Sequence, residues 1–237
     1  MKKLLAVLLF TLPTMAVAVD LEGYYITAKG GVSKTLNTGT TSFLDGDLFT
    51  LQNEDLGTGS AFGFSVGKYL TNSFRLELEA TKRTGYEYDA RVSTVEFTTF
   101  TFKSKIKTHA LFINGFYDFQ PFIMSNTAIT PYLGGGVGIS RNKMGTYVQQ
   151  NNGIPTGETA DGNTINRLAY KFSAGTLVSI TEQLSLDVNY QYVNLGAFKS
   201  GTEVFDNGAF LGILDRGFHG GDIKTQELMV GLRYTFK

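Results

Sequence analysis

Three groups of residues in this chain have types and spacings that could do covalent or metal chemistry. Gly63-Phe64-Ser65-Val66-Gly67 has the G-x-S-x-G spacing of a nucleophile elbow, which would make Ser65 an acyl acceptor. That elbow needs a strained strand-to-helix turn, with an acid and a histidine brought to the serine by the fold. Here it sits inside a strictly alternating stretch, so Gly63, Ser65 and Gly67 read as one face of a strand. Gly134 to Gly138 suggests a phosphate-cradling loop, but no helical pattern follows it, so the dinucleotide-binding context is missing. Small residues there are expected to make room for the charged side chains of the third and seventh strands. His109 and His219 are the two histidines of a chain without cysteine, which argues against a transition-metal site. The expectation is no catalytic, cofactor-binding or metal site.

Charged residues inside strands carry more information. Arg75, Glu77, Glu79, Lys171, Asp187, Glu227 and Arg233 all fall on the polar face of their strands. Asp187 and Arg233 stand at similar distances from the ends of adjacent strands, so they are expected to pair. Lys103, Lys105 and Lys107 are spaced by two and share a face. They are candidate contacts for phosphate groups, each lysine acting as a point charge; the alternative is a solvated strand extension. Basic and acidic residues balance at 21 each, so nothing suggests a nucleic-acid partner.

The elements that position these residues are strands. In Thr225 to Phe236, Leu228, Val230, Leu232, Tyr234 and Phe236 share one face, and Glu227, Met229, Gly231, Arg233 and Thr235 the other. Period two marks a strand with one apolar side. The same reading gives strands at Gly23–Lys34, Ser60–Tyr69, Phe74–Thr81, Thr99–Phe119, Thr130–Arg141, Leu168–Ile180 and Leu184–Leu195. Thr71-Asn72-Ser73 and Thr181-Glu182-Gln183 read as tight turns. Asp118–Thr127 reads as a medium turn, and 36–58, 85–94, 142–165 and 196–222 as long polar loops. Eight strands whose connections alternate between long and short are the pattern of an up-and-down barrel.

Which way the barrel faces follows from its polar side. A water-soluble barrel fills its interior with apolar residues. Here one face carries Arg, Glu, Asp, Asn and Gln repeatedly, and a core of those would leave charges buried without enough apolar area to offset them. The apolar face must therefore look at lipid, and the inward charges must satisfy one another as a plug, with an ion or proton path as the alternative. Glycine at 28 residues and 31 aromatics (19 Phe, 12 Tyr) suit this. No run of the mature chain reaches ~18 apolar residues, so spanning by helices is excluded. Lys2-Lys3, the apolar run to Leu12 and Ala16-Val17-Ala18 read as a signal peptide over 1–18. Residues 19–237 are then one domain with net charge −2, since Lys2 and Lys3 leave with the peptide.

The runs Pro131-Tyr132-Leu133-Gly134-Gly135-Gly136-Val137-Gly138, Asn189-Tyr190-Gln191-Tyr192 and Gly231-Leu232-Arg233-Tyr234-Thr235-Phe236 resemble the small outer-membrane β-barrel family. That family includes the OmpA barrel, OmpX, the opacity proteins and related surface antigens. The resemblance implies an all-β, eight-stranded antiparallel up-and-down transmembrane β-barrel with both termini periplasmic, monomeric, in the outer membrane. Gly231, Tyr234 and Phe236 resemble the family's C-terminal assembly signal, read by the barrel-assembly machinery, although Lys237 follows the Phe. The implied role is surface antigen, adhesin or envelope-integrity scaffold acting through four extracellular loops. Its partners would be outer-membrane lipid and lipopolysaccharide, with the lysine triplet at the phosphates, and host surface or matrix proteins. One alternative is a small OmpW-like channel for apolar or small solutes, which wants an apolar upper lumen; Phe97, Phe100, Phe102 and Phe112 bear on it. The other is a lipid-modifying enzyme, but Thr108-His109-Ala110 lacks the Ser and Asn expected after a lipid A deacylase histidine.

Overall fold

Among the described residues, alternation along the chain becomes fourteen strands and no helix. The computed structural model describes residues 21–36, 50–52, 56–93, 99–151, 154–213 and 219–237. In order the strands are β1 (Tyr24–Thr35), β2 (Thr50–Gln52), β3 (Thr58–Tyr69), β4 (Phe74–Ser93), β5 (Thr99–Asp118), β6 (Phe122–Met124) and β7 (Thr127–Met144). Then come β8 (Tyr147–Asn151), β9 (Ile154–Ala160), β10 (Asn163–Ser179), β11 (Leu184–Lys199), β12 (Glu203–Asp206), β13 (Ala209–Ile213) and β14 (His219–Thr235). The proposed leader, 1–18, lies outside the described residues, as does Phe97.

Eight of these close a barrel in the antiparallel order β1-β3-β4-β5-β7-β10-β11-β14, with β14 returning to β1. The seam runs from Tyr25 opposite Thr235 to Thr35 opposite Thr225. At one end the connections are short. Thr71 Oγ1 accepts hydrogen bonds from the backbone N–H of Ser73 and Phe74 at 3.2 and 3.0 Å. Thr181 Oγ1 does the same for Gln183 and Leu184 at 3.3 and 3.0 Å, so both tight turns are threonine-locked. The medium turn contains β6, and Ser125 and Asn126 both take positive φ (48° and 66°) between β6 and β7. Two consecutive left-handed residues give the turn twist that antiparallel strands favour.

The other end differs from the reading of four polar loops. β4 continues to Ser93 instead of stopping at Thr81, and β7, β10, β11 and β14 also run past the expected boundaries. β8 pairs antiparallel with β9, and β12 with β13, as two hairpins. β8 joins the upper part of β5, with Lys103 opposite Val148, and β12 joins β9. A second, open sheet in the order β4-β5-β8-β9-β12-β13 thus stands on the barrel rim. Polar loop composition hid it, because Thr, Tyr and Val favour strands even among polar neighbours.

The outside of the barrel is apolar and the inside polar. Ile113 and Val137 are 62% and 69% exposed, while Glu79 and Asp187 are 0% and 2%. Leu76 and Leu232 point outward, Glu77 and Arg233 inward. Near the hairpin end the pattern inverts. The inward side of the upper wall carries Tyr86, Tyr88, Phe102, Ile106, Met144 and Val193, all buried, and its outward side carries Lys82, Glu87, Lys105 and Lys143. On β4 the switch needs a change of parity. Arg83 and Tyr86 both face inward across a register shift, and Gly85 between them takes φ +94°, a left-handed conformation that favours glycine. Below the switch the wall suits a surrounding of hydrocarbon, above it a surrounding of water.

Candidate functional site

The barrel axis holds a stack of ion pairs in three tiers. In the lowest, Arg75 Nε meets Asp118 Oδ1 at 3.0 Å, and Arg75 Nη1 donates to the Tyr25 hydroxyl at 3.0 Å. That hydroxyl donates to Glu77 at 3.2 Å. Beside it Arg233 Nη2 meets Asp187 Oδ2 at 3.1 Å, and Tyr132 donates to Asp187 Oδ1 at 2.6 Å. The guanidinium carbon of Arg75 lies 4.0 Å from the centroid of Phe116, and that of Arg233 lies 4.3 Å from the centroid of Tyr25. Flat rings cover the faces of cations whose edges are hydrogen-bonded.

In the middle tier Glu79 is held by Lys171, by Lys29 Nζ at 2.8 Å and by Asn114 Nδ2 at 2.8 Å. In the upper tier Glu227 takes both arms of Arg83, Nε at 2.5 Å and Nη2 at 3.0 Å. It also accepts from Ser33 at 2.7 Å, Gln191 at 2.5 Å and Thr225 at 2.9 Å. A carboxylate with that many donors offsets much of its lost hydration. The ring of Phe112 lies beside the middle tier, 5.2 Å from Lys171 Nζ, and the apolar cluster it belongs to continues upward through Val193, Leu195 and Ile223, whose side chains have no accessible surface.

Each of the seven inward charges named from the sequence lies in this stack. Sequence reasoning missed Lys29, Arg83 and Asp118 as members. Lys29 falls on the inward face of its strand with Tyr25 and Thr27, but residue order alone gives it no partner. Arg83 lay beyond the expected end of its strand, and Asp118 at a strand end read as turn. The signal for Arg83 was present, since it continues the odd-numbered inward series of Arg75, Glu77 and Glu79.

The glycine run behaves as a spacer, with a correction to what it spaces. A Cβ on Gly134 would meet the Phe116 ring at 2.1 Å, on Gly136 the Asn114 Oδ1 at 2.0 Å, and on Gly138 the Leu111 carbonyl oxygen at 2.0 Å. The neighbours are therefore residues of β5, not the charges of the third and seventh strands, because β5 is the strand that pairs directly with β7.

The residues with catalytic spacing do not converge. Ser65 is buried on the lumen side of β3, whereas His109 is exposed on the outer wall of β5. The barrel wall separates them. His219 opens β14, opposite Lys199; its side chain, and that of Phe100, lie outside the described residues. Among the described residues no group of three or more His, Asp or Glu is placed to hold a metal.

Lys103, Lys105 and Lys107 point outward and are exposed. Their surroundings differ. Lys103 faces Asp89 across the β4–β5 ladder at 4.0 Å, Lys105 is opposite Glu87, and Lys107 is opposite Lys143. At the chain end, Gly231 packs under Lys29, the rings of Tyr234 and Phe236 meet edge to face at 5.1 Å, and the Phe236 N–H donates to the Tyr24 carbonyl at 2.8 Å. Lys237 turns to Glu182 in the β10–β11 turn.

The standing sheet carries apolar residues of its own. Ile154, Phe210, Leu211 and Ile213 are exposed on β9 and β13, strands attached only to the part of the molecule whose outward wall is polar. Within that sheet Tyr147 is buried, and burial with the nearby Glu158 carboxylate pushes its pKa up to about 12.

The chain is 29% identical to the outer membrane protein PagN of Salmonella typhimurium over 196 residues, 76% of this chain and 78% of PagN. It is 24% identical over 172 residues, 71% of this chain and 72% of the relative, to a Rickettsia bellii protein named "Putative adhesin". Among solved structures, OprG of Pseudomonas aeruginosa superposes with a TM-score of 0.56 at 16% identity, over 91% of this chain and 96% of OprG. Neisserial surface protein A superposes at 0.51, also 16% identical, over 91% and 98%. The fold is that of these small barrels, with the lipid-facing band between a turn end and a hairpin end, and the family match places the protein in the outer membrane. The family model for the outer membrane protein beta-barrel domain matches residues 4–236, and the chain belongs to that family.

Proposed function

We propose that this protein is a non-enzymatic surface adhesin: a rigid, plugged barrel that presents its extracellular sheet to a protein or matrix component of a host surface. One observation carries the reading. Phe210, Leu211 and Ile213 on β13, with Ile154 beside the β8–β9 tip, are exposed on strands that stand above the lipid-facing wall. Exposed apolar groups grouped on a water-facing surface are the usual mark of a binding surface. The rigid scaffold beneath them supports the same role, since fixed hairpins lose little entropy when they bind. The adhesin name of the Rickettsia relative agrees with it.

A route for apolar solutes would use the apolar upper lumen. That region is filled by Ile106, Val193, Leu195 and Ile223, with three tiers of ion pairs below it, which favours a plug. The separation of Ser65 from His109 supports a role without acyl-transfer chemistry.

Replacing 204–212 by an Asn-Gly turn tests the adhesin reading. Bacteria displaying the variant, with the heat-modifiable gel shift of a folded barrel intact, are expected to lose about tenfold or more of their binding to host cells or matrix proteins. Unchanged binding would return the protein to a purely structural role.

A further inference from the structure

The register of β4, β5 and β7 assembles a cationic patch on the outer wall that no single strand reveals. Lys82 is opposite His109, and His109 is opposite Arg141. One step higher Lys107 is opposite Lys143. All five side chains are outward and exposed. Row neighbours stand about 5 Å apart and steps along a strand about 6.6 Å, so four full positive charges and a histidine crowd onto one small area. Directly beneath them on the same strands lie Ala80, Leu111 and Ile139, the top of the lipid-facing wall.

These cations have no acidic partner among the described residues, and the flanking strands oppose them with Phe62, Asn166 and Thr164. Lys105 and Lys103 above them are different, because Glu87 and Asp89 face them. Like charges placed side by side repel, so an uncompensated cluster at this level implies an anion from outside the chain. A shallow groove of about 360 Å³ between Phe62, Phe64, Ala80, Lys82 and His109 adjoins the patch. It offers apolar walls below and charge above.

We propose that Lys82, Lys107, Arg141 and Lys143, with His109 between them, bind the phosphate groups of lipopolysaccharide in the outer leaflet. The sugar phosphates meet the cations, and the neighbouring groove takes the start of an acyl chain. Arg141 supplies a planar fork for two phosphate oxygens, and the lysines supply point charges. Of the lysine triplet, Lys107 belongs to this site, and Lys103 and Lys105 do not. The site is independent of whether the hairpins bind a host.

The test uses the folded full barrel in neutral detergent and fluorescent bisphosphorylated lipid A. Lys82→Gln, Lys107→Gln, Arg141→Gln and Lys143→Gln together are expected to weaken binding about tenfold or more, since each removes a cation from an anionic surface. The Lys107→Gln and Lys143→Gln pair alone is expected to weaken it about threefold or more. The Lys103→Gln and Lys105→Gln pair should leave it within about twofold. On the wild type, dephosphorylated lipid A should bind about tenfold more weakly, and excess phosphatidylglycerol or inorganic phosphate should displace little of the probe. Equal binding by the four-site variant, or equal loss in the Lys103 and Lys105 control, overturns the assignment. Displacement by phosphatidylglycerol as effective as by lipid A overturns it too, making the patch a general anionic-surface anchor.

Discussion

Glu227 is the residue whose loss the barrel should feel most. It receives five hydrogen bonds, from Arg83 twice and from Ser33, Gln191 and Thr225, and both it and Arg83 are buried. Glu227→Gln keeps the shape but removes the negative charge and turns an N–H₂ group toward donors. The Arg83 guanidinium is then a buried cation with no counter-charge, a defect that costs about 3–5 kcal/mol. Against a total stability of about 5–15 kcal/mol, that is a large share. Removing the cation as well, in Arg83→Met with Glu227→Gln, should recover about 2 kcal/mol or more, because an absent pair costs less than a broken one. The chain has no tryptophan, so reversible denaturant unfolding in lipid vesicles is best followed by far-ultraviolet circular dichroism and the gel shift. A single variant within about 0.5 kcal/mol of wild type, or a double variant no better than the single, would refute the reasoning that the interior charges are a mutually satisfied plug.

Gly138→Ala places a Cβ 2.0 Å from the Leu111 carbonyl oxygen and 2.9 Å from the Phe112 Cα; main chain cannot swing aside as a side chain can, so the cost should be about 1–3 kcal/mol by denaturant midpoint. Purified protein in planar bilayers should show no steady, large conductance, and such a conductance would contradict the plug. Phe236→Ala, at the proposed assembly signal, should slow insertion by the barrel-assembly machinery while leaving the stability of barrels already folded close to wild type; unchanged assembly kinetics would remove the signal from this residue. Tyr147 ionises near pH 12 in the folded sheet instead of near its ordinary 10. Folding therefore favours its protonated form, and that contribution, full below pH ~10, is lost as pH rises toward ~12. Ultraviolet titration of wild type against Tyr147→Phe should show the variant losing part of the late component, and a loss from the component near pH ~10 instead would contradict the burial of Tyr147.

Several features were legible from residue order because they depend only on side-chain alternation. The faces of Leu76 and Glu77, of Val188 and Asp187, and of Leu232 and Arg233 follow from period two once one knows that lipid lies outside. The threonine-led turns at Thr71 and Thr181 were equally readable, since their hydrogen bonds are local. The pairing of Asp187 with Arg233 could be anticipated because both stand near the same end of adjacent strands, one diagonal step apart across the β11–β14 ladder.

Other features were hidden for definite physical reasons. Gly85 shifts the parity of β4, so a pattern read straight through it puts Tyr86 and Tyr88 on the wrong side. The hairpins β8–β9 and β12–β13 mix polar and apolar residues without strict alternation, and in β13 the neighbours Phe210 and Leu211 are both exposed, so no lipid-type pattern marks them.

By itself, then, the order of amino acids decided that this is a closed sheet with a greasy exterior and a charged axis, because each strand must present one kind of side chain to hydrocarbon. Only the folded barrel decided which charges meet: Glu79 with Lys29 and Lys171, Glu227 with Arg83, and Lys82, Arg141 and Lys143 side by side on the outer wall. Those meetings depend on the stagger between neighbouring strands, a relation between distant parts of the chain that no local pattern encodes.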